Sequence, residues 1–220
     1  IYTKRINGML KYYKTPWPHF TGSLPKEFYE HVKSVWDDDD SKKKWNKCKN
    51  RSNIIVEDDK INTILNDISL GILSRSQEVF EQFYPKLDYE KLTGKCSNLF
   101  SENPARRAYA MRNLHIDNGN KLVTGLWYFQ HEDEEYGKGG NLTLHNPVTK
   151  KEKLFEYGAN KIVLFPNTPV SWHYITSRYC SVHPRRFICM RLEAKLKLHN
   201  YQTKNGKEFM TYEDLKNNYA

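Results

Sequence analysis

The 220-residue sequence predicts an α+β fold that is mainly β, with helices at the front and a jelly-roll or related double-sheet barrel behind them. Three observations carry that expectation. From Ala105 onward, apolar residues alternate or run together in strand-length segments punctuated by turn signals. Before that, between Ser23 and Phe83, they recur at helical spacing. Finally, His115-Ile116-Asp117 sets a histidine and a carboxylate two residues apart, on one face of a strand, and His173 lies in a later strand pattern, Ser171-Trp172-His173-Tyr174.

Bulk properties suit one domain spanning 1–220: a helical front at about 16–90, a β core at about 105–195 and a C-terminal hairpin and helix at about 196–220. Hydrophobic content of 38% with 14% aromatics is globular, and the strongly negative mean hydropathy reflects charged surface. No apolar run approaches the roughly 18–20 residues of a membrane span. Ile1-Tyr2-Thr3-Lys4-Arg5 lacks the apolar stretch of a secretory signal, so the expected setting is cytoplasmic, with no membrane partner. Cys48, Cys96, Cys180 and Cys189 are scattered, which favours reduced thiols over a zinc knuckle or a disulfide framework. Part of the +9 formal charge sits in Lys42-Lys43-Lys44, Lys47, Lys49 and Arg51, directly after Asp37-Asp38-Asp39-Asp40. Adjacent blocks of opposite sign read as a solvated loop in preference to a nucleic-acid patch.

In chain order, Pro16-Trp17-Pro18-His19-Phe20 reads as extended, because each proline disfavours helix for the residue before it. Ser23-Leu24-Pro25 caps a first helix with Phe28, Val32 and Trp36 on one face, ending near Trp36. Asn53–Val56 is a short strand or extended piece. Residues 60–83 fit one or two helices with a break near Gly71, and Pro85 ends them. Strands follow at 108–116, 122–129, 141–145, 153–157, 162–165, 171–175 and 186–192. Their connections are rich in glycine, asparagine and proline, including Gly137-Lys138-Gly139-Gly140. Asn205-Gly206 marks a late hairpin, and Thr211-Tyr212-Glu213-Asp214 opens a terminal helix.

Two histidines and one carboxylate on one side of a metal leave coordination positions open, an arrangement suited to non-haem Fe(II) and oxygen chemistry. With His115-Ile116-Asp117 come Leu126-Trp127-Tyr128-Phe129-Gln130, Gly139-Gly140-Asn141-Leu142-Thr143-Leu144, Ile162-Val163-Leu164-Phe165-Pro166-Asn167, Trp172-His173 and Arg185-Arg186-Phe187-Ile188. In this order they resemble the 2-oxoglutarate- and Fe(II)-dependent dioxygenases, particularly the prolyl-hydroxylase-like branch. The likeness covers about residues 105–195 and is weaker over 16–36.

That resemblance implies a double-stranded β-helix (jelly-roll, cupin-like) core with flanking N-terminal helices, and Fe(II) held by His115, Asp117 and His173. It implies 2-oxoglutarate as cosubstrate, with O2, and ascorbate as a further candidate cofactor. The distal carboxylate of 2-oxoglutarate would meet Arg186 or Arg185, only one of which faces the pocket, since neighbours on a strand point to opposite faces. Pro184 and Arg185 read as the lead-in to the strand, which favours Arg186. Relatives commonly place a serine two residues beyond this arginine, where this chain has Ile188 or Phe187. Tyr128 falls where prolyl-hydroxylase-like members place a tyrosine whose hydroxyl meets the same carboxylate.

The implied reaction is oxidative decarboxylation of 2-oxoglutarate to succinate and CO2, coupled to hydroxylation of a protein side chain or a small metabolite. Oxidative demethylation of nucleic acid is an alternative, encouraged by the basic charge and by Arg185 and Arg191 six apart. It is weakened by Phe187 and Cys189, which stand where that branch sets asparagine and threonine. A catalytically inactive cupin-like binding module is a third reading. Trp127, Phe165 and Trp172 are either pocket walls or ordinary core. His19, His31, His131, His145, His183 and His199 read as structural. His131-Glu132-Asp133-Glu134-Glu135 reads as a solvated loop, or as a lip over the substrate.

Overall fold

The computed structural model describes residues 9–37, 46–48, 51–89, 92–104, 112–134, 139–179, 182–199 and 202–203. In chain order the elements are β1 (Lys11–Tyr13), β2 (His19–Gly22), α1 (Lys26–Asp37), β3 (Asn46–Cys48), β4 (Arg51–Ile55), α2 (Asp59–Ser74), α3 (Gln77–Phe83) and β5 (Gly94–Asn103). There follow β6 (Arg112–Ile116), β7 (Lys121–Tyr128), β8 (Leu142–His145), β9 (Glu152–Phe155), β10 (Ile162–Pro166), β11 (Trp172–Ile175), β12 (Arg185–Ala194) and β13 (Gln202–Thr203).

Two antiparallel sheets result, ordered β1-β2-β10-β7-β12-β5-β4-β3 and β13-β6-β11-β8-β9. From β5 to β12 the chain passes back and forth between them: β5, β7, β10 and β12 belong to the large sheet, and β6, β8, β9 and β11 to the small one. This winding is the jelly roll expected from the sequence.

The helices cover the outer face of the large sheet. Asp58 caps α2 by accepting from the Ile61 N–H at 2.8 Å. Ile61, Leu65, Ile68 and Ile72 recur at helical spacing and are fully buried, and α2 packs on β5, β7, β10 and β12. On α1, Phe28 stacks on Trp127 at 5.4 Å, and Trp36 tilts against Phe100 at 4.6 Å and Phe129 at 5.1 Å. Truncating Trp36 to alanine would cost about 3–5 kcal/mol, the usual range for removing a buried aromatic. With the outer face so covered, the inner face of the large sheet is left to enclose a cavity against the small sheet. No helix among the described residues is long and apolar enough to cross a membrane.

Several elements depart from the sequence reading. The helical break comes at Arg75-Ser76 instead of Gly71, because Gly71 is carried inside α2 while the Arg75 N–H closes the helix onto the Gly71 carbonyl. β5, the ten-residue partner of β12, was not anticipated. Its buried residues include Asn98, Ser101 and Asn103, so it shows little apolar alternation. Part of the expected charged loop is ordered as β3 and β4. The 205–206 hairpin and the 211–214 helix lie outside the described residues, as does the 108–111 start of the predicted first core strand.

Candidate metal centre

β6 and β11 are neighbours in the small sheet, and their register sets His173 opposite His115. Opposed residues project from the same face, so the two rings meet inside the barrel, with centroids 4.2 Å apart and planes inclined by 53°. Asp117 follows β6 two residues beyond His115 and turns to the same side. All three are buried: 1% exposed for His115, 2% for Asp117 and 5% for His173.

Each histidine is oriented by a backbone carbonyl. His115 Nδ1 lies 2.7 Å from the Asn113 oxygen, and His173 Nδ1 lies 2.9 Å from the Ser171 oxygen. A carbonyl only accepts, so both Nδ1 atoms carry the proton and both Nε2 lone pairs are presented to the cavity. His115 Nε2 is 3.8 Å from Asp117 Oδ1 and His173 Nε2 is 4.0 Å from Oδ2. These separations exceed a hydrogen bond yet fall within twice the roughly 2.1 Å of a metal–ligand bond, so one ion can be shared. Two neutral imidazoles and a carboxylate also form the donor set of a three-point iron site.

The electrostatics keep the donors free of protons. Burial pushes His115 down to about 2, helped by charge on His173 and Arg112, and burial likewise lowers His173. Burial alone would raise Asp117, but the cations around it win and hold its carboxyl well below the usual range. Lys121 Nζ lies 2.9 Å from Oδ1, Arg112 lies 3.5 Å from the same oxygen, and the Thr124 hydroxyl donates to Oδ2 at 3.0 Å. At neutral pH the three donors are therefore already free of the protons that a cation would otherwise have to displace.

Arg185 lies at the other end of the cavity. It is 1% exposed and donates to the Gly140 carbonyl at 2.6 Å, to Asn103 Oδ1 at 3.3 Å and to the Tyr128 hydroxyl at 3.1 Å. Its guanidinium also lies over the rings of Tyr128 and Phe187, 4.8 and 4.6 Å from their centroids. No carboxylate of the described residues pairs with it. Tyr128 is fully buried, and burial raises its hydroxyl against the opposing pull of Arg185. Gly140 has φ 75°, and a side chain there would begin 3.0 Å from Arg185 Cδ, so this turn and this arginine require glycine.

Arg186, favoured from the sequence, faces the helices instead. Its Nε pairs with Glu102 at 2.9 Å and its guanidinium lies 5.9 Å from the Trp36 ring. The reason is register: β12 already pairs at Arg185, opposite Asn103, so the odd-numbered residues from 185 point inward.

The cavity is about 150 Å³ and contains His115, Asp117, His173 and Arg185 in one wall set with Arg51, Lys121, Thr124, Cys189 and Arg191. Phe165 is an apolar wall, tilted 5.0 Å from His173, whereas Trp127 and Trp172 do not line the cavity. A larger groove of about 540 Å³ runs along β2 and β9 outside the barrel and holds none of the triad. Sequence reasoning missed Thr124 and Cys189, which period-two counting along β7 and β12 finds once one inward residue is fixed. It also missed Lys121, one turn from the carboxylate, and Arg51, hidden in the charged run.

A second group, His131, Asp133 and His183, gathers at the rim with its donor atoms within 4.8 Å of one another. The two rings stack at 4.2 Å with planes 19° apart, and His183 Nε2 is hydrogen-bonded to Asp133 at 2.9 Å. Beside it Glu134 is buried against Arg178 and Glu132 pairs with Lys33 at 2.7 Å, so residues 131–134 are tethered by ion pairs and are not simply a solvated loop, the first of the two readings the sequence allowed.

Neither a protein-family model nor a curated protein sequence matches the chain. Solved structures do. A prolyl-4-hydroxylase from Pseudomonas putida is 14% identical with a TM-score of 0.56, over 81% of this chain and 93% of its own. A prolyl hydroxylase from Trichoplax adhaerens, solved with a hypoxia inducible factor peptide, is 12% identical at 0.51, over 88% and 91%. A rice dioxygenase for auxin oxidation is 12% identical at 0.51, over 80% and 73%. At such identities the likeness is one of fold: the chain has the double-stranded β-helix of the 2-oxoglutarate- and Fe(II)-dependent oxygenases, of the kind seen in prolyl hydroxylases.

Proposed function

We propose that the protein is a 2-oxoglutarate- and Fe(II)-dependent dioxygenase that hydroxylates a protein side chain or a small metabolite. The observation that carries this reading is the buried convergence of His115, Asp117 and His173 at one end of a cavity whose other end holds an arginine with no carboxylate partner among the described residues. In this reading His115 Nε2, His173 Nε2 and one oxygen of Asp117 hold Fe(II). Arg185, with the Tyr128 hydroxyl, receives the distal carboxylate of 2-oxoglutarate, a task for which a planar guanidinium with parallel donors is suited.

Iron, 2-oxoglutarate and O2 together supply the oxidation: one oxygen atom enters succinate as CO2 is lost, and the other converts a substrate C–H into C–OH. The chain's own part is positional. Backbone carbonyls of Asn113 and Ser171 fix the imidazoles, Thr124 and Lys121 steady Asp117, and Phe165, Leu126 and Phe187 limit water around the reacting atoms.

The test is aerobic turnover of 2-oxoglutarate without added substrate, followed as succinate, with and without ascorbate to keep the metal reduced. Succinate that requires Fe(II) and disappears in Asp117→Ala is expected. No succinate from the wild-type protein under any of these conditions, together with no binding of 2-oxoglutarate, would sink the proposal.

A further inference from the structure

The cavity carries more positive charge than the proposed cosubstrate uses. Five cationic side chains reach it, Arg51, Arg112, Lys121, Arg185 and Arg191, against the single carboxylate of Asp117. Lys121 and Arg112 are already engaged with Asp117 at 2.9 and 3.5 Å. In the reading above, Arg185 meets one carboxylate of 2-oxoglutarate and the metal meets the other. Arg51 and Arg191 are left over.

Neither forms a direct ion pair with a carboxylate of the described residues, although Glu193 and Asp117 act on Arg191 at longer range. Arg51 enters from β4, where Nη2 donates to the Ser101 hydroxyl at 2.7 Å while its guanidinium leans over Phe187, 5.3 Å from the ring centroid. Its Nε is buried with no hydrogen-bond acceptor. Arg191 projects from the metal end of β12, opposite Thr124, which itself bonds Asp117. Its Nε is given only the Cys189 sulfur, at 3.4 Å, a weak acceptor. The two guanidiniums flank that thiol and together pull it below its ordinary value although burial pushes the other way. Glu193 and Asp117 draw on Arg191 only through space, so both guanidiniums keep donors that no carboxylate of the described residues bonds, and a site with two such cations is complementary to an anion.

The location decides what kind of anion. Arg185 and Arg191 are six residues apart on one strand, so their backbones are about 20 Å apart, with the triad nearer Arg191. Arg51 leans over the same Phe187 ring as Arg185, whereas Arg191 stands opposite Thr124 beside the triad, so an acidic group held by Arg51 and Arg191 lies along the wall between the Arg185 receptor and the metal. A cavity of about 150 Å³ takes a small molecule or a terminal group and does not enclose a polymer.

We infer that the substrate is a small organic anion whose carboxylate or phosphate is gripped by Arg51 and Arg191 within a few bonds of the carbon that is hydroxylated. This rests on the dioxygenase reading, and it narrows that reading to the metabolite branch.

The experiment is calorimetry on the full chain loaded with Mn(II) and 2-oxoglutarate, titrated with three pairs that differ in charge: phosphoserine and serine, glycerol 3-phosphate and glycerol, aspartate and asparagine. At least one anion is expected to bind, its neutral twin at least about tenfold more weakly, with affinity falling as salt rises. Arg51→Met and Arg191→Met should each weaken that anion about tenfold or more, and Arg191→Lys should restore most of the loss if both variants retain the wild-type circular dichroism. Arg185→Met should instead weaken 2-oxoglutarate more than the anion.

The inference is overturned if no anion of the series binds, if the neutral twins bind as well as the anions, or if the Arg51 and Arg191 variants lose 2-oxoglutarate as severely as Arg185→Met, which would make them cosubstrate ligands. Tight binding of a single-stranded oligonucleotide or a neutral peptide, with none of the small anions, also overturns it. The cosubstrate reading fails separately, if 2-oxoglutarate produces no heat with the Mn(II) protein. Anion binding that persists there, and is lost in Arg51→Met, would still support the Arg51–Arg191 site.

Discussion

Among the described residues the same residue set occurs twice, His-x-Asp followed by a distant histidine, and the two sets differ in burial, ring orientation and hydrogen bonding. At His115, Asp117 and His173 the residues are buried, each imidazole is oriented by a carbonyl, and the rings incline at 53° with both Nε2 atoms facing one carboxylate. At His131, Asp133 and His183 the aspartate side chain is 73% exposed, the rings lie nearly parallel, and one nitrogen already spends its hydrogen bond on the carboxylate. Sequence spacing does not separate these sets, since each places its members where β strands end or begin. What separates them is burial and ring orientation: the inclined, carbonyl-fixed imidazoles of the buried set aim their lone pairs at one point, whereas in the other set a ring nitrogen and the carboxylate bond each other.

The largest expected difference between the two sites is in metal-dependent chemistry. Asp117→Ala or His173→Ala should lower Fe(II)-dependent succinate formation roughly 100-fold or more, beyond the 10- to 100-fold typical of losing an outer-sphere partner. The matched changes Asp133→Ala and His183→Ala should stay within about twofold, as for most rim substitutions. Equal losses at both sites, measured under identical iron, would break the distinction.

Next in size is the contrast between adjacent arginines. Arg185→Met should weaken 2-oxoglutarate roughly ten- to hundredfold, the value of a charge-assisted pair, whereas Arg186→Met should shift it less than about twofold. Tyr128→Phe removes a neutral hydrogen bond and should cost about three- to tenfold. Binding measured by quenching of intrinsic tryptophan fluorescence would rank the three, and an Arg186 effect larger than the Arg185 effect would reverse the register assigned to β12.

A smaller signal comes from pH. His115 titrates near 6.5 when unfolded but is held down to about 2 in the folded metal-free chain, so acid protonates the unfolded state first. Stability should fall as pH drops below about 6.5, by about 2 kcal/mol between about pH 8 and about pH 5 for this one group. Asp117 is also held below its ordinary 3.8, so it contributes a further loss only below about pH 4. Urea melts of the metal-free protein should show this slope, and His115→Gln should flatten it; an unchanged slope would mean that His115 is not the buried neutral group described.

How much of this was legible in the sequence follows from which signals are local. The triad was readable because period-two geometry makes His115 and Asp117 share a face whatever the register, and the apolar strands made the barrel readable. The choice between Arg185 and Arg186 was not, because it turns on one residue of register fixed by Asn103 on β5. β5 itself was hard to see: Asn98 is buried not against apolar neighbours but by donating to Asn62 and Asn66 on α2, so polar partners stand where hydrophobic periodicity would have signalled a strand. Arg51 looked like one more cation in a solvated run. Only the pairing of β4 with β5 carries it to the cavity wall.

The most direct measurement is anaerobic titration of the iron-loaded protein with 2-oxoglutarate, watching for the weak visible charge-transfer band of the chelate. The band should appear with one iron per chain, persist in Asp133→Ala and vanish in Asp117→Ala. A band that survives Asp117→Ala, or vanishes in Asp133→Ala, would place the metal at the rim and contradict the assignment.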